Sequence, residues 1–283
     1  MHIDSLVYLV TGASSGLGLA TAQALLERGA YVAALDIREP PSGSFSPASS
    51  GSAFTNGAPE SSSSERVYFV ECDVGDDESV DRAVSAVKAK WEGRKWGGVV
   101  HCGGVGMVGK TVGNDGTPFS FDVFSETHRI NLLGSFLIAS KVAAVLASQY
   151  TASLDKTTRA PPQAEQDQGV IILTSSVSAS EGQMGQVAYA SSKAGVEGLV
   201  LPMARDLGRY GVRVMCLAPS LFSTAMGKNT NEKTRASLLA TTLFPPRFGV
   251  PEEYAKLAVS VIENGYLNGG VIRIDGGGRM AKM

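Results

Sequence analysis

The sequence is poor in the residues that form metal sites and disulfides. Its 283 residues include three cysteines that are far apart from one another and three histidines that are equally scattered. Cys72, Cys102 and Cys216 are odd in number and contain no C-x-x-C pair, so they fit neither a disulfide framework nor a zinc site. Free cysteines are typical of a reducing compartment. We therefore expect no bound metal and an intracellular protein.

Charge clusters and long apolar runs are also lacking. The formal net charge is −2 and no basic stripe follows the chain, so no nucleic-acid partner is expected. No uncharged apolar run approaches the ~18 residues that span a bilayer, and no membrane partner is expected. A strand pattern begins within the first ten residues, which leaves no room for a secretory or mitochondrial leader. The sequence predicts a soluble protein.

The chain does contain an alternation of short apolar runs and longer stretches with helical spacing. Predicted strands are Leu6–Val10, Tyr31–Asp36, Val67–Val70, Gly98–Val100, Val170–Leu173, Val212–Leu217 and Val271–Ile274. Predicted helices are Gly16–Arg28, Asp76–Trp91, Phe121–Tyr150, Val187–Tyr210 and Pro251–Glu263. Near-continuous apolar strands separated by helices indicate a parallel sheet covered on both faces. The predicted fold is α/β: one doubly wound, Rossmann-type domain of about seven strands, over residues 1–283.

One segment interrupts this alternation. Residues 40–64 are rich in serine, glycine and proline and have almost nothing apolar to bury. This composition predicts a flexible surface insertion, with a phosphorylated regulatory loop as the alternative.

A glycine-rich turn, residues 11–18, joins the first predicted strand to the first helix. Its glycines Gly12, Gly16 and Gly18 allow a tight turn and a close approach of the backbone to a pyrophosphate, which the helix N-terminus attracts. Such a turn alone also closes ordinary strand–helix corners. Its place after the first strand favours a dinucleotide site.

Asp36 lies at the end of the second strand, about 20 residues further on, where a carboxylate binds ribose hydroxyls and repels a 2′-phosphate. The residue therefore favours NAD over NADP, although Arg38 nearby favours a phosphate and an ordinary strand-end turn is the alternative. The ends of the next two strands place further residues beside this cofactor: Asp73, Val74, Cys102 and Gly103.

The chemistry is predicted from Tyr189 and Lys193, which share one helix face at i and i+4. A nearby ammonium favours the phenolate and lowers the pKa of the tyrosine, as a general acid/base for an alcohol and a ketone requires. Ser176, after the fifth strand, can hold the substrate oxygen, and Asn131, on a predicted long helix, can organise a proton relay. The alternative is an exposed helix pair and a turn serine.

In this order along the chain, the turn T-G-x-x-x-G-x-G, Asp73, Asn131, Ser176 and the motif Tyr189-x-x-x-Lys193 resemble the short-chain dehydrogenase/reductase family. The resemblance implies a homotetramer or homodimer. It also implies that Tyr189 is the acid/base, that Lys193 lowers its pKa and binds ribose, that Ser176 orients the carbonyl and that Asn131 supports the relay.

Residues 176–189, 201–207 and 267–275 further resemble the type 2 3-hydroxyacyl-CoA dehydrogenases, which also act on hydroxysteroids. This resemblance implies an NAD-dependent 3-hydroxyacyl-CoA dehydrogenase in which Gln183 contacts the substrate. The positions that it matches to NAD contacts are Ser15, Leu17, Asp36, Asp73, Val74, Cys102, Phe222 and Thr224.

Three features depart from the family pattern: His101 replaces an asparagine, Ser220 replaces a glycine after Pro219, and the 40–64 segment is long. Because substrate choice depends on loops, these departures leave open a ketone, steroid or secondary-metabolite reductase on the same scaffold. A non-catalytic binding subunit is an alternative of another class, which the complete Ser, Tyr, Lys and Asn set argues against.

The last three residues, Ala281-Lys282-Met283, resemble the small–basic–Leu address of peroxisomal proteins. We therefore expect a peroxisomal or cytoplasmic location, with this tail exposed.

Overall fold

The computed structural model describes residues 1–46, 63–154, 164, 166–224 and 239–280. Its centre is a seven-stranded parallel sheet in the order β3-β2-β1-β4-β5-β6-β7. The strands are β1 Val7–Thr11, β2 Tyr31–Asp36, β3 Val67–Glu71, β4 Trp96–His101, β5 Gly169–Thr174, β6 Val212–Pro219 and β7 Val271–Ile274. This topology confirms the predicted doubly wound fold, and it gathers the carboxyl ends of the strands at one edge.

Helices cover both faces of the sheet. They are α1 Gly16–Glu27, α2 Ser63–Arg66, α3 Asp77–Lys90, α4 Phe121–His128, α5 Gly134–Ala152, α6 Ser178–Glu181, α7 Val187–Leu207 and α8 Pro251–Glu263. Helices α3, α5 and α7 pack on one face, and α1 and α8 on the other. The predicted elements are confirmed within a few residues. The short helices α2 and α6 were not predicted, because four residues are too few to show periodicity.

Alternate residues of the central strands supply two separate cores. In β1, Val7 and Leu9 join the core under α3, α5 and α7, whereas Tyr8 and Val10 join the core under α1 and α8. Each fully buried aliphatic side chain of this kind contributes about 1.5–3 kcal/mol relative to exposure. A strand that is apolar on both faces is therefore stable only where helices cover both faces of the sheet.

The single helix predicted over Phe121–Tyr150 is wrong in one respect. A π-helical turn, Arg129–Leu133, separates α4 from α5 and contains Asn131. Such a turn inserts one residue without changing the apolar character of the helix, so periodicity does not reveal it, and π turns occur frequently at functional sites. Here the widened turn accompanies a fully buried Asn131.

The helical stretch Phe121–Ala152 is also long and apolar enough to cross a membrane by length and composition. Half of the most apolar 18 residues of this stretch are buried inside the protein, where Ile138, Val142 and Leu146 pack in the core under α3, α5 and α7. The core helices of globular proteins are often equally long and apolar. The burial of this stretch is explained by its packing on the sheet.

The predicted insertion at 40–64 falls mainly on residues 47–62, which lie outside the described residues. Its first residues pack on α1. The Gln23 amide donates to the Ser44 carbonyl at 2.7 Å, and Phe45 packs against the core under α1 and α8. The beginning of the segment therefore has an apolar anchor that its composition did not indicate.

Candidate active site

The glycine-rich turn lies against the turn that follows β4. Gly12 has a φ of +64°, and a Cβ there would lie 3.0 Å from the Gly103 nitrogen. A Cβ at Gly18 would lie 2.2 Å from the Gly12 oxygen. Only glycine fits these two contacts, so the turn packs closely on the turn after β4. We call this turn, at the N-terminus of α1 where Ser15 precedes the helix and Leu17 lies in its first turn, the glycine cradle.

Asp36 lies beside this cradle, as its position after β2 predicts. The Ser14 backbone N–H donates to its Oδ2 at 3.0 Å, and the Arg38 N–H donates to its Oδ1 at 3.3 Å. Thr224, in the loop after β6, closes over the same turn, since a Cβ at Gly16 would lie 3.1 Å from its methyl group. The structure thus brings together three predicted cofactor positions that are distant in the sequence.

Thr11 joins the two turns through its hydroxyl. Its Oγ1 accepts from the Cys102 N–H at 3.1 Å and the Gly103 N–H at 3.0 Å, and it lies 2.7 Å from His101 Nδ1. The hydroxyl therefore links the two turns to the imidazole, whose Nε2 has no hydrogen-bond partner among the described residues. Burial, with a smaller effect of the Lys193 charge, lowers the pKa of His101 to about 3. His101 is neutral at physiological pH and makes a side-chain contact where the family has asparagine.

Asp73 makes contacts that the sequence did not predict. Its carboxylate accepts from Arg129 Nη2 at 3.1 Å and from the Gly75 N–H at 2.9 Å. Val74 packs on the start of α5, since a Cβ at Gly134 would lie 3.0 Å from its carbonyl oxygen. Both residues fix the end of β3 to the α4–α5 region at the same edge of the sheet.

Ser176, Tyr189 and Lys193 come together at the end of β5. Lys193 is buried, and its Nζ donates to the Thr174 carbonyl at 2.8 Å and lies 5.9 Å from the centre of the Tyr189 ring. Tyr189 is near enough to Ser176 for that hydroxyl to lower its pKa, and Ser176 Oγ accepts from the Ser178 N–H at 3.1 Å. The arrangement places a hydroxyl, a phenol and an ammonium around one point.

Burial dominates the protonation of this group. It lowers the pKa of Lys193 to about 8, and it raises the pKa of Tyr189 against the opposing effect of the Ser176 hydroxyl. The prediction that Lys193 favours the Tyr189 phenolate stays a prediction, because the net direction of this shift reflects burial and does not isolate the effect of the ammonium. Desolvation penalises a buried phenolate, and the ammonium lies beside the ring and donates to the Thr174 carbonyl.

Asn131 fixes the loop after β4 to α7. Its Nδ2 donates to the Val105 carbonyl at 2.9 Å and to Ser192 Oγ at 3.0 Å, and its Oδ1 accepts from the Val105 N–H at 2.8 Å. A Cβ at Gly104 would lie 3.0 Å from Asn131 Oδ1 and 3.4 Å from Lys193 Nζ. The asparagine and the lysine therefore flank the same glycine.

Gln183 and Phe222 lie on two different cavities. Gln183 lines a cavity of about 350 Å³ with Lys110, Val112 and Met184. The Gly109 N–H donates to the Gly185 carbonyl at 2.7 Å and fixes one loop of that cavity to the other. Phe222 lines a separate cavity of about 200 Å³ at the ends of β6 and β7. Both open where loops follow the carboxyl ends of the strands, which is where doubly wound sheets bind ligands.

Several residues at the site had no signal in the sequence. Thr174 holds Lys193 through its backbone, Ser192 binds Asn131, and Tyr254 reaches the end of β5 from α8. A backbone carbonyl or a partner from a distant helix leaves no local pattern. In the described parts of the chain no group of three His, Cys, Asp or Glu side chains could hold a metal ion.

Comparison with known proteins identifies the family. The family model described as short chain dehydrogenase matches residues 6–235. Human 3-hydroxyacyl-CoA dehydrogenase type-2 is 38% identical over 98% of this chain and 97% of its own length. Ipsdienol dehydrogenase of Ips pini is 34% identical over 98% of both chains.

Solved structures agree. The crystal structure of 3-hydroxyacyl-CoA dehydrogenase type-2 from Mycobacterium avium superimposes with a TM-score of 0.80 and 31% identity, covering 99% of this chain and 98% of that one. Levodione reductase gives a TM-score of 0.76 and 27% identity, over 97% of both chains.

The chain belongs to the short-chain dehydrogenase family, and it is an oxidoreductase that uses a nicotinamide cofactor. The residues present fit such a dinucleotide: the glycine-rich turn lies at the N-terminus of α1, which attracts a pyrophosphate, and Asp36 lies beside it. The predicted catalytic residues lie at the same edge of the sheet.

Proposed function

We propose that this protein is an NAD-dependent dehydrogenase that interconverts a secondary alcohol and a ketone, with 3-hydroxyacyl-CoA thioesters as its substrate class. The observation that carries the proposal is the grouping of Ser176, Tyr189 and Lys193 at the end of β5, at the sheet edge that holds the glycine cradle.

Each residue of this group has a distinct role in alcohol oxidation. Ser176 donates a hydrogen bond that orients the substrate oxygen, and Tyr189 accepts the hydroxyl proton as that oxygen becomes a carbonyl. Lys193 supplies the positive charge that favours the phenolate, and Asn131 holds the adjacent loop. The bound nicotinamide supplies the hydride acceptor. In the reductive direction Tyr189 returns the proton.

The choice of NAD is supported by Asp36, whose carboxylate lies at the edge of the cradle. Asp36→Ala removes both a ribose contact and the repulsion of a 2′-phosphate. We expect the NAD/NADP ratio of kcat/KM to fall, by about tenfold or more. Asp76→Ala, which removes the carboxylate that caps α3, is the matched control and should leave the ratio unchanged. A wild-type preference for NADP would contradict the assignment.

The substrate class is supported by two relatives named 3-hydroxyacyl-CoA dehydrogenase type-2. A second candidate, a reductase of cyclic or terpenoid ketones, is supported by ipsdienol dehydrogenase and levodione reductase. The test is a panel of acetoacetyl-CoA, 3-hydroxybutyryl-CoA, hydroxysteroids and cyclic ketones, followed by NADH absorbance. A kcat/KM for the thioesters at least tenfold above the others supports the first candidate, and the reverse order supports the second.

Self-association is proposed from apolar side chains that are exposed along α4, the π-helical turn and α5. Phe121, Leu133 and Phe136 are 77, 54 and 49% exposed. A second copy of the chain, in a homodimer or homotetramer, would cover this face. Light scattering should give a multiple of 29.5 kDa, and Phe136→Glu should shift it towards the monomer.

A peroxisomal location is proposed from Ala281-Lys282-Met283, which lie outside the described residues. A fluorescent protein fused to the N-terminus should enter peroxisomes, and loss of the last three residues should release it to the cytosol. Diffuse signal in both cases would contradict the proposal.

We also propose that residues 1–283 form one catalytic domain with an insertion at 40–64. Deleting residues 48–61 should change kcat less than about twofold and thermal stability little, because loop closure entropy varies slowly with length. A large loss of folded protein would show that the segment packs on the domain.

A further inference from the structure

Tyr254 approaches the catalytic lysine from the other side of the sheet. It is fully buried on α8, in the core under α1 and α8, whereas α7 carries Lys193 on the opposite face. Its hydroxyl lies 2.6 Å from Thr174 Oγ1, at the last residue of β5. The side chain of Thr174 follows Val170 and Ile172 into that same core.

The direction of these hydrogen bonds is determined by counting protons. Thr174 Oγ1 donates its one proton to the His101 carbonyl at 2.5 Å. The hydrogen bond between Tyr254 and Thr174 therefore has the phenol as donor. Burial raises the pKa of Tyr254 well above its ordinary value, so the phenol keeps this proton throughout the working range. The carbonyl of Thr174 then accepts from Lys193 Nζ at 2.8 Å.

We propose that Tyr254 is a positioning residue for Lys193, which it acts on through Thr174. The inference rests on the proposed role of Lys193. The Thr174 hydroxyl makes two hydrogen bonds, which fix this residue between β4 and α8. The Thr174 carbonyl then accepts from one of the three N–H donors of the Lys193 ammonium. The other two donors then keep a constant orientation, in which they would be available to a cofactor ribose and to Tyr189.

Tyr254 also contacts the loop after β6. The rings of Tyr254 and Phe222 meet edge to face, with their centres 6.5 Å apart. Cys102 Sγ, in the turn after β4, lies 3.8 Å from both the Tyr254 and the Thr174 hydroxyls. The phenol therefore contacts the turns after β4 and β6 as well as the end of β5, and a displaced ring would disturb all three.

The test compares two buried tyrosines of the same core. Tyr254→Phe removes the hydroxyl that binds Thr174. Tyr8→Phe is the matched control, because Tyr8 is also fully buried in the core under α1 and α8 and its hydroxyl has no hydrogen-bond partner among the described residues. We expect Tyr254→Phe to lower kcat about tenfold, below the ~10²-fold or greater loss from removing an acid/base. Tyr8→Phe should leave kcat unchanged.

Two further variants separate positioning from folding. Thr174→Val should lower kcat as Tyr254→Phe does, whereas Thr174→Ser keeps the hydroxyl and should restore most of it. Because both act on one hydrogen bond, the double variant Tyr254→Phe with Thr174→Val should lose no more than the worse single variant. Additive losses would overturn the proposal. Thermal melting of each variant identifies any that fail to fold. If Thr174→Val is among them, the kcat of Thr174→Ser decides whether the hydroxyl of residue 174 is needed.

A pH profile provides a readout that a purely structural role would not change. A displaced ammonium favours the Tyr189 phenolate less, so the rise of alcohol oxidation with pH should move to higher pH by about 0.5 unit or more. The titratable groups near Lys193 are Tyr189, His101, Cys102 and Cys216, and all are retained. An unmoved profile with wild-type kcat would overturn the inference.

Lys193→Met distinguishes this inference from the proposed function. If Lys193→Met remains active, the catalytic assignment is wrong. If it is inactive while Tyr254→Phe behaves as wild type, only the role of Tyr254 is wrong.

Discussion

Two buried cations lie at opposite ends of the parallel sheet, and they differ in how their hydrogen-bond donors are used. Arg213, at the amino end of β6, donates through Nε to Asp167 and through its two Nη atoms to the carbonyls of Val261, Leu267 and Ile262. Lys193, at the carboxyl end of β5, has one acceptor within the described residues, the Thr174 carbonyl.

The difference suits Arg213 to a structural role and Lys193 to the role that we propose for it. A buried charge whose donors are all satisfied holds elements together, here the end of α8 and the start of β6. A buried ammonium with donors left over has been desolvated without full compensation, and burial accordingly lowers the pKa of Lys193 to about 8. Its remaining donors are available to a ligand. The amino end should therefore determine stability, and the carboxyl end should determine activity.

The largest expected effect is on activity alone. Tyr189→Phe removes the acid/base hydroxyl but keeps the buried ring, so kcat should fall about 10²–10⁴-fold while NAD affinity stays within a few-fold. Steady-state kinetics and cofactor titration measure both. Tyr210→Phe, at the amino end beside β6, is the control and should keep full activity. A Tyr189→Phe enzyme with most of its kcat would contradict the catalytic assignment.

Arg213→Met should have the opposite effect. It removes the closer cation of the Asp167 carboxylate, whose side chain is 17% exposed, and leaves only the N-terminal ammonium of Met1 at 3.8 Å among the described residues. Breaking a buried pair in this way costs about 3–5 kcal/mol. Urea unfolding should show this loss, whereas kcat of the folded fraction should be unchanged. The control is Lys141→Met, whose bonds to Asp77 and Asp81 lie near the surface and contribute about 0–1 kcal/mol. Equal losses of stability in the two variants would show that Arg213 holds the fold no more strongly than a surface lysine does.

The two ends also differ in how far the sequence predicts them. Asp36 and the glycines of the turn were predicted because each follows a strand end at a spacing that the cofactor dictates. Lys193 and Tyr189 were predicted from their i, i+4 spacing. Nothing in the sequence pairs Arg213 with Asp167, or Tyr254 with Thr174, because these contacts join residues 46 and 80 positions apart.

The protonation states of the site residues also could not be predicted from the sequence. The spacing of Tyr189 and Lys193 predicts their proximity, but burial sets the sign of the shift, and burial depends on the whole fold. His101 shows the same limit. The sequence identified it as a departure from the family, yet its neutral state follows from its burial at the end of β4 and, to a smaller extent, from the Lys193 charge.

The smallest expected effect is a gain of stability at the carboxyl end. In the folded protein the pKa of Lys193 is about 8, below the 10.5 of an exposed lysine. Between these values the unfolded chain binds one more proton than the folded chain, so this lysine makes unfolding harder as pH rises from about 8 to 10.5. At pH 7 the charged form is present in both states, and its burial destabilises the fold.

Lys193→Met keeps the apolar stem and removes that charge. The cofactor-free variant should therefore be more stable than the wild type at pH 7, on the order of 1–3 kcal/mol, while its activity is lost. The gain should shrink above pH 8 and disappear near pH 10.5, where the wild-type lysine is neutral in both states. Urea unfolding at pH 7 and pH 10 measures this. A Lys193→Met protein that is less stable at pH 7 would show that the lysine, like Arg213, holds the fold together.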